Sequence, residues 1–430
     1  MAADILIAWF NAHGGAFHKL LTLHKALVRA GTSCELVFAS GPPRGLKPGV
    51  DIPANLLPEL ATSGVRLVPR AEALALARQT TARLLVTDAH HDLDLPALLT
   101  EVAARGVLTA QLATLLGDFT CHGAQHLLVQ HPLTLFFELE YNRTREAAKF
   151  AQASRVYFTG NLFFEPTVNT LFGGYDSREA FCQHYNFHPD RPICLWLPSA
   201  PDVRDPMYGE ICQAVERAGM NLAIKLHPWE YAFRKHGAEG VDPWGHGKAS
   251  DELWGRRAVS ETDATWAFRF ADAAILRASA MSLEMPFWHT PSLVLPSSLS
   301  PQLFAAQAHM VRRCSLPLTT TAELATLLAQ NKLPRFSPTD YAAGQDAVRL
   351  PGPGNGYERT VAALLHILHG TDTNSTAAGH HTPPHITPNG SLRPLKASYD
   401  SLITPSTAGA LLPTRRLRFE AGRLWRRVLG

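Results

Sequence analysis

Nowhere in this 430-residue chain does an apolar run reach the roughly 18 residues that a membrane-spanning helix requires. No basic segment leading into a long apolar stretch opens the sequence, so no secretory signal is expected. None of the six cysteines (Cys34, Cys121, Cys182, Cys194, Cys212, Cys314) belongs to a Cys-x-x-Cys pair, and several sit inside apolar runs. That pattern argues against a disulfide framework and for a reduced, cytoplasmic setting. A Gly-x-Gly-x-x-Gly dinucleotide fingerprint is missing too. Excess charge is scarce: 40 Lys and Arg against 37 Asp and Glu leave +3, too little to imply a nucleic-acid partner.

What is present is an ordinary globular composition, 46% hydrophobic and 18% charged, at a length that suits two domains. Short apolar runs alternate with segments of helical spacing, the pattern of parallel sheets wound on both faces. Asp4 to Phe10 reads as a first strand, Phe17 to Ala30 as a helix stopped by Gly31, and Cys34 to Ala39 as a second strand. Between the first two lies Asn11-Ala12-His13-Gly14-Gly15. Gly14 and Gly15 form either a plain tight turn or a place where a ligand comes close to a helix N-terminus. His13 stands just past the strand end, where a general base is useful, or is a loop histidine satisfied by its neighbours.

The first half continues with strands at 65–68, 84–87, 106–113, 127–130 and 155–158, and helices at 72–80, 95–104 and 133–151. Asp88-Ala89-His90-His91-Asp92-Leu93-Asp94 holds metal-ligand residue types, but its spacing matches no metal motif; a strand end running into an Asp-rich helix cap accounts for it. His91 and His122 stand behind His13 as candidate bases. A turn-rich segment, 166–176, marks the hinge.

The second half repeats the alternation: helices at 177–185, 206–218, 264–271, 279–288, 320–330 and 356–368, and strands at 192–197, 221–226, 258–259, 273–276 and 292–295. Two stretches stand out. The run Leu222-Ala223-Ile224 ends abruptly in Lys225, His227 and Pro228, and Ala273 to Leu276 is followed by Arg277 and a helix start carrying Ser279, Ser282 and Glu284. Ligands of parallel sheets bind outside the carboxyl ends of the strands, and these residue types suit an anion. Each also has a plain reading: Lys225 and His227 as a strand-end cap, Ser279 as a helix N-cap, Glu284 as a complement to a helix dipole or a local pairing partner.

These motifs resemble those of GT-B glycosyltransferases, and most closely the CDP-glycerol glycerophosphotransferase and teichoic-acid or capsule polymerase group. Thr159-Gly160-Asn161 is similar to that group's interdomain element, with Asn161 as a departure. Leu195-Trp196-Leu197-Pro198-Ser199-Ala200 takes the place of a strand that ends in an Ala-Pro-Thr turn. Ile224-Lys225-Leu226-His227-Pro228 matches the group's Lys-x-His-Pro motif, and 270–284 follows its Ser-Ser-x-x-x-Glu segment, with Arg277-Ala278 in place of Asp-Tyr. The likeness covers roughly residues 155–300.

The resemblance implies two Rossmann-like domains facing a central cleft: an acceptor-side domain, 1–160, and a nucleotide-donor domain, 161–352. A closing helix, 353–370, a disordered linker, 371–412, and a basic amphipathic helix, 413–430, complete the chain. It implies a metal-independent transferase that moves a glycosyl or polyol-phosphate group from a nucleotide-activated donor to a hydroxyl of a glycan or lipid-linked acceptor in cell-envelope synthesis, with no cofactor. His13 and His227 are then catalytic, and Gly14, Gly15, Ser199, Lys225, Arg277, Ser279, Ser282 and Glu284 bind the donor. A UDP-GlcNAc 2-epimerase-like enzyme and a non-catalytic GT-B-like scaffold are the alternatives.

The tail differs in charge from the rest. Residues 371–430 hold eight Lys and Arg against three acids, a local +5, so residues 1–370 sum to −2. From 370 to 413 the chain is rich in Thr, Ser, Pro, Gly and His, the composition of a disordered segment. From Leu411 to Leu429 apolar residues recur at helical spacing among arginines. That reads as a peripheral anchor on the inner face of the cell membrane, or as a helix that docks on protein.

Overall fold

The computed structural model describes residues 3–10, 14–40, 64–89, 92–113, 121–130, 153–160, 162, 175–198, 205–225, 258–259, 264–277, 280–296, 312–349, 354–370 and 385–386. The chain divides into two compact units. Described residues of the first fall in Met1–Val168 and Arg349–Leu402, and those of the second in Asn169–Val348.

The first unit is built on strands β1 (Ile5–Trp9), β2 (Cys34–Ser40), β3 (Arg66–Pro69), β4 (Leu84–Asp88), β5 (Leu108–Leu112), β6 (His126–Val129) and β7 (Arg155–Phe158). Helices α1 (Gly14–Arg29), α2 (Arg70–Arg78) and α3 (Leu95–Ala104) alternate with them. The sheet order is β7-β6-β5-β4-β1-β2-β3, all parallel. Every residue of β1 and β4 is buried, as expected of central parallel strands covered on both faces. Period-two alternation divides β1: Leu6, Ala8 and Phe10 join the cluster under α2 and α3 with Ala73, Ala77, Leu95, Leu99 and Val102. The helix expected over 133–151 lies outside the described residues.

Late in the chain α10 (Gly356–His369) packs on α1 and belongs to the first unit. Its start is a capping box: Asn355 accepts from the Glu358 N–H, and the Glu358 carboxylate accepts from the Asn355 N–H. Its end is tied to the amino ends of the strands. Arg155 at the start of β7 donates to His366 Nε2 at 2.8 Å, and Arg83, just before β4, donates to the Leu368 carbonyl at 2.9 Å. Within the stretch expected to be disordered, His385–Ile386 instead forms a short strand, β14, antiparallel on β7. Pairing covers an otherwise open sheet edge, which composition alone does not reveal.

The second unit holds β8 (Ile193–Leu197), β9 (Asn221–Lys225), β10 (Ala258–Val259), β11 (Ala273–Leu276), β12 (Ser292–Val294) and β13 (Ser315–Pro317), ordered β10-β9-β8-β11-β12-β13 and all parallel. On one face α5 (Met207–Arg217) and α8 (Thr321–Ala329) bury Ile211, Val215, Leu324 and Leu328 against Trp196, Ile224 and Ile275. On the other, α4 (Arg178–His184) and α6 (Ala264–Phe270) bury Phe181, Ala267 and Phe268 against Leu195, Leu197 and Ala274. Ser177 and Thr320 cap α4 and α8 through their side chains.

The helix expected over 279–288 is broken. A 3-10 turn, Ala280–Leu283, precedes a short α7 (Met285–Trp288) with Pro286 in its first turn. Proline supplies no N–H for the carbonyl four residues earlier, which interrupts the hydrogen-bond ladder between the two pieces. A further helix, α9 (Pro338–Val348), follows α8. No disulfide joins any of the six cysteines.

Candidate functional site

Because the second sheet is parallel, its carboxyl ends share one edge. Leu276 stands level with Leu197 and with Val294, and Trp196 pairs with Ile224, which brings Lys225 level with Leu197. After β8 the chain winds outward through β9 and β10, then returns to the other side of β8 as β11. The switch point of this sheet is therefore the crevice outside the ends of β8 and β11, where ligands of such sheets bind.

Lys225 is the last residue of β9 and is half-buried. Arg277 follows β11 directly, and its side chain is only 3% exposed. It donates through Nε to the Pro296 carbonyl at 2.9 Å and through Nη1 to Asp205 Oδ2 at 2.7 Å. One guanidinium thus ties together the ends of β11 and β12 and the connection from β8 into α5. Asp205 Oδ1 also accepts the Met207 N–H at 3.0 Å. Burial pushes the Asp205 carboxyl up, but the bonds from Met207 and Arg277 and the charge of Arg277 outweigh it and hold the group below the usual carboxylate range.

Ser282 lies in the 3-10 turn, 3% exposed, and its Oγ has no hydrogen-bond partner. Glu284 is 4% exposed and occupies the N-cap position of α7 without a side-chain bond to that helix. The helix it precedes, α7, is a single turn. Ser199, His227 and Ser279 lie outside the described residues, as does His13. Gly14 and Gly15 are the first two residues of α1, so they open the helix and do not form a turn ahead of it. Of the proposed donor residues Lys225 and Arg277 stand on the same sheet edge, Ser282 and Glu284 lie in the turn and at the short helix that follow β11, and Gly14 and Gly15 belong to the first unit. Asp205 is the member that sequence reasoning missed. Its signal was Asp205-Pro206 ahead of an amphipathic segment, which marks a helix start but says nothing of Arg277.

The first unit has its own switch point, between β1 and β4. Asp88, wholly buried at the end of β4, accepts the Phe10 N–H at 2.7 Å. Gln111 donates to the Asp88 carbonyl at 3.2 Å and accepts the His122 N–H at 2.8 Å. Arg70, the first residue of α2, closes on both oxygens of Asp92 at 2.6 and 2.7 Å and on Asp94 at 3.0 Å, with its guanidinium 5.5 Å from the centre of the Phe10 ring. The expected Asp-rich cap is therefore not made: Asp94 sits at the N-cap of α3, but its carboxylate goes to Arg70 and makes no bond to the helix. Burial pushes the Asp92 carboxyl above its ordinary value despite Arg70. Among the described residues no group of three or more His, Cys, Asp or Glu is placed to hold a metal ion.

No protein-family model matches the sequence, and no curated protein matches it. Solved structures do. The UDP-GlcNAc 2-epimerase of Neisseria meningitidis bound to UDP-GlcNAc aligns at 12% identity with a TM-score of 0.51, over 84% of this chain and 99% of that one. The UDP-GlcNAc 2-epimerase of Methanocaldococcus jannaschii aligns at 11% identity with a TM-score of 0.51, over 84% of this chain and 99% of that one. MnaA of S. aureus in complex with UDP aligns at 14% identity with a TM-score of 0.51, over 85% and 97%. At these identities the likeness is one of fold: two α/β units with parallel sheets, of the GT-B type. Among the described residues no helix is long and apolar enough to cross a membrane.

Proposed function

We propose that this two-unit α/β protein binds a nucleotide-activated donor at the β8–β11 crevice and transfers its glycosyl or polyol-phosphate group to a hydroxyl acceptor. The observation that carries the reading is that Lys225 and the Arg277–Asp205 pair stand on the switch-point edge of one parallel sheet. Transfer builds negative charge on the departing phosphate, and a fixed cation there lowers the barrier. Removal of one such group in other enzymes costs about 3 kcal/mol. In this reading Lys225 and His227 supply this stabilisation. His13, after β1, accepts the proton of the attacking hydroxyl. The Lys225-x-His227-Pro228 motif favours a donor of the CDP-glycerol or teichoic-acid polymerase kind within this class.

A second reading, a UDP-GlcNAc 2-epimerase-like enzyme, is favoured by a specific observation: the structures above that bear this description share the fold over nearly their whole length. Incubation with UDP-GlcNAc and, separately, with CDP-glycerol, each with and without a polyol or glycan acceptor, decides between them. Turnover that requires the acceptor supports transfer. Conversion of UDP-GlcNAc alone supports epimerisation. Nucleotide binding with no turnover supports a GT-B-like scaffold. Delivery of the enzyme to a lipid-linked acceptor by the basic 413–430 segment belongs to the same proposal, and co-sedimentation with anionic vesicles tests it.

A further inference from the structure

The two members of the Arg277–Asp205 pair are not equally accessible. The Arg277 side chain is 3% exposed and the Asp205 side chain 28%. A ligand that enters the crevice at this point therefore meets a carboxylate, with the guanidinium behind it. We propose that Asp205 is a ligand-binding residue of the β8–β11 crevice, an acceptor for ligand hydroxyls, and that Arg277 is the positioning residue that aims it. The proposal rests on the nucleotide-donor reading and names the part of the donor recognised there.

Three observations support it. Each Asp205 oxygen already takes one bond, Oδ1 from the Met207 N–H and Oδ2 from Arg277 Nη1, which fixes the carboxylate plane and leaves lone pairs on both oxygens. A carboxylate so held attracts hydroxyl donors and repels phosphate. The diphosphate is thereby directed towards Lys225, and the hydroxyl-bearing part towards Asp205. Glu284, which the resemblance counts among the donor-binding residues, is 4% exposed and so less open to a ligand than Asp205. The hydroxyls belong either to the ribose or to the transferred sugar or polyol, and the chemistry of recognition is the same for both.

Calorimetric titration of the full chain tests the assignment. The probes are UDP, CDP, GDP and ADP, their 2′- and 3′-deoxy forms, and UDP-GlcNAc and CDP-glycerol, against wild type, Asp205→Asn, Asp205→Glu and Arg277→Gln. Asp205→Asn is expected to weaken binding of the hydroxyl-bearing form about tenfold or more, the loss typical of a hydrogen bond to a charged group. It leaves the form without that hydroxyl at wild-type affinity. Sensitivity between a ribonucleotide and its deoxy form locates the hydroxyl on the ribose; sensitivity only with UDP-GlcNAc or CDP-glycerol locates it on the transferred group. Arg277→Gln is expected to show the same selective loss, because it releases the carboxylate that Arg277 aims. Asp205→Glu displaces the carboxylate without removing it and serves if the Asn variant does not fold. Equal affinity of wild type and variants for every probe, or the same loss for every probe including the deoxy forms, overturns the assignment while the nucleotide reading stands. A wild-type protein that binds none of the probes overturns the nucleotide reading itself.

Discussion

Asp88 Oδ2 accepts the main-chain N–H of Phe10 at 2.7 Å, which fastens the end of β4 to the end of β1. Both residues are wholly buried, so the N–H has no access to water as a substitute partner. Asp88→Ala is expected to cost about 1–3 kcal/mol, the price of an unsatisfied buried donor. Asp88→Asn should cost less, because the amide oxygen still accepts. Urea midpoints of the two variants, at unchanged m-value, check this ranking.

Gly344 lies within α9, where a Cβ would come within 2.9 Å of Cys314 Sγ and 3.2 Å of Pro286 Cβ. Gly344→Ala is therefore expected to destabilise by about 1–3 kcal/mol through overpacking, against a gain of about 1 kcal/mol in helix propensity. A lowered thermal midpoint is the expected result. A raised one would show that α9 has room to shift.

These two sites also show what the sequence disclosed and what it did not. The strand run Ala273 to Leu276 and the helix Leu95 to Ala104 were legible to the residue, because apolar period and flanking signals agree there. Helix α9 was not foreseen, although Ser337-Pro338 with Asp340 is a start signal: Asp340 accepts from the Ser337 N–H and hydroxyl. Gly344 obscured it, and its reason is tertiary. The candidate site divides the same way. Lys225 was visible as a polar interruption of an apolar strand, whereas Asp205 and Arg277, 72 residues apart, meet only through the sheet order. Arg70 and Asp92, 22 residues apart, were hidden likewise.

His126, on β6, is packed beside Tyr157, with Arg155 and His366 as further neighbours. Burial first, then the charges of Arg155 and His366, lower its pKa from 6.5 to about 4. The unfolded chain therefore binds more protons in this interval, so the stability that the neutral imidazole secures is present above pH 6.5 and is lost as pH falls towards 4. The slope is at most about 1.4 kcal/mol per pH unit. Urea titrations from pH 7 to 4 should show this loss in wild type and a flatter profile in His126→Gln.

Asn355 and Glu358 hold the start of α10 by two reciprocal bonds of 2.9 Å each. Asn355→Ala is expected to lower stability by about 1 kcal/mol. Hydrogen exchange should then rise first in the opening turn of α10, and uniform exchange across the first unit would contradict a local capping role.

Nucleotide binding at the β8–β11 crevice is decided by a thermal-shift panel with CDP, UDP, GDP, ADP and CMP. Wild type, Lys225→Ala and His227→Ala are compared. A ligand at 100 times its dissociation constant adds about 2.7 kcal/mol of stability. One nucleotide is expected to raise the wild-type melting temperature; the rise, and turnover with it, is expected to disappear in both variants while their unliganded melting temperatures stay near wild type. No rise with any nucleotide, or an equal rise in all three proteins, would contradict nucleotide binding at this crevice.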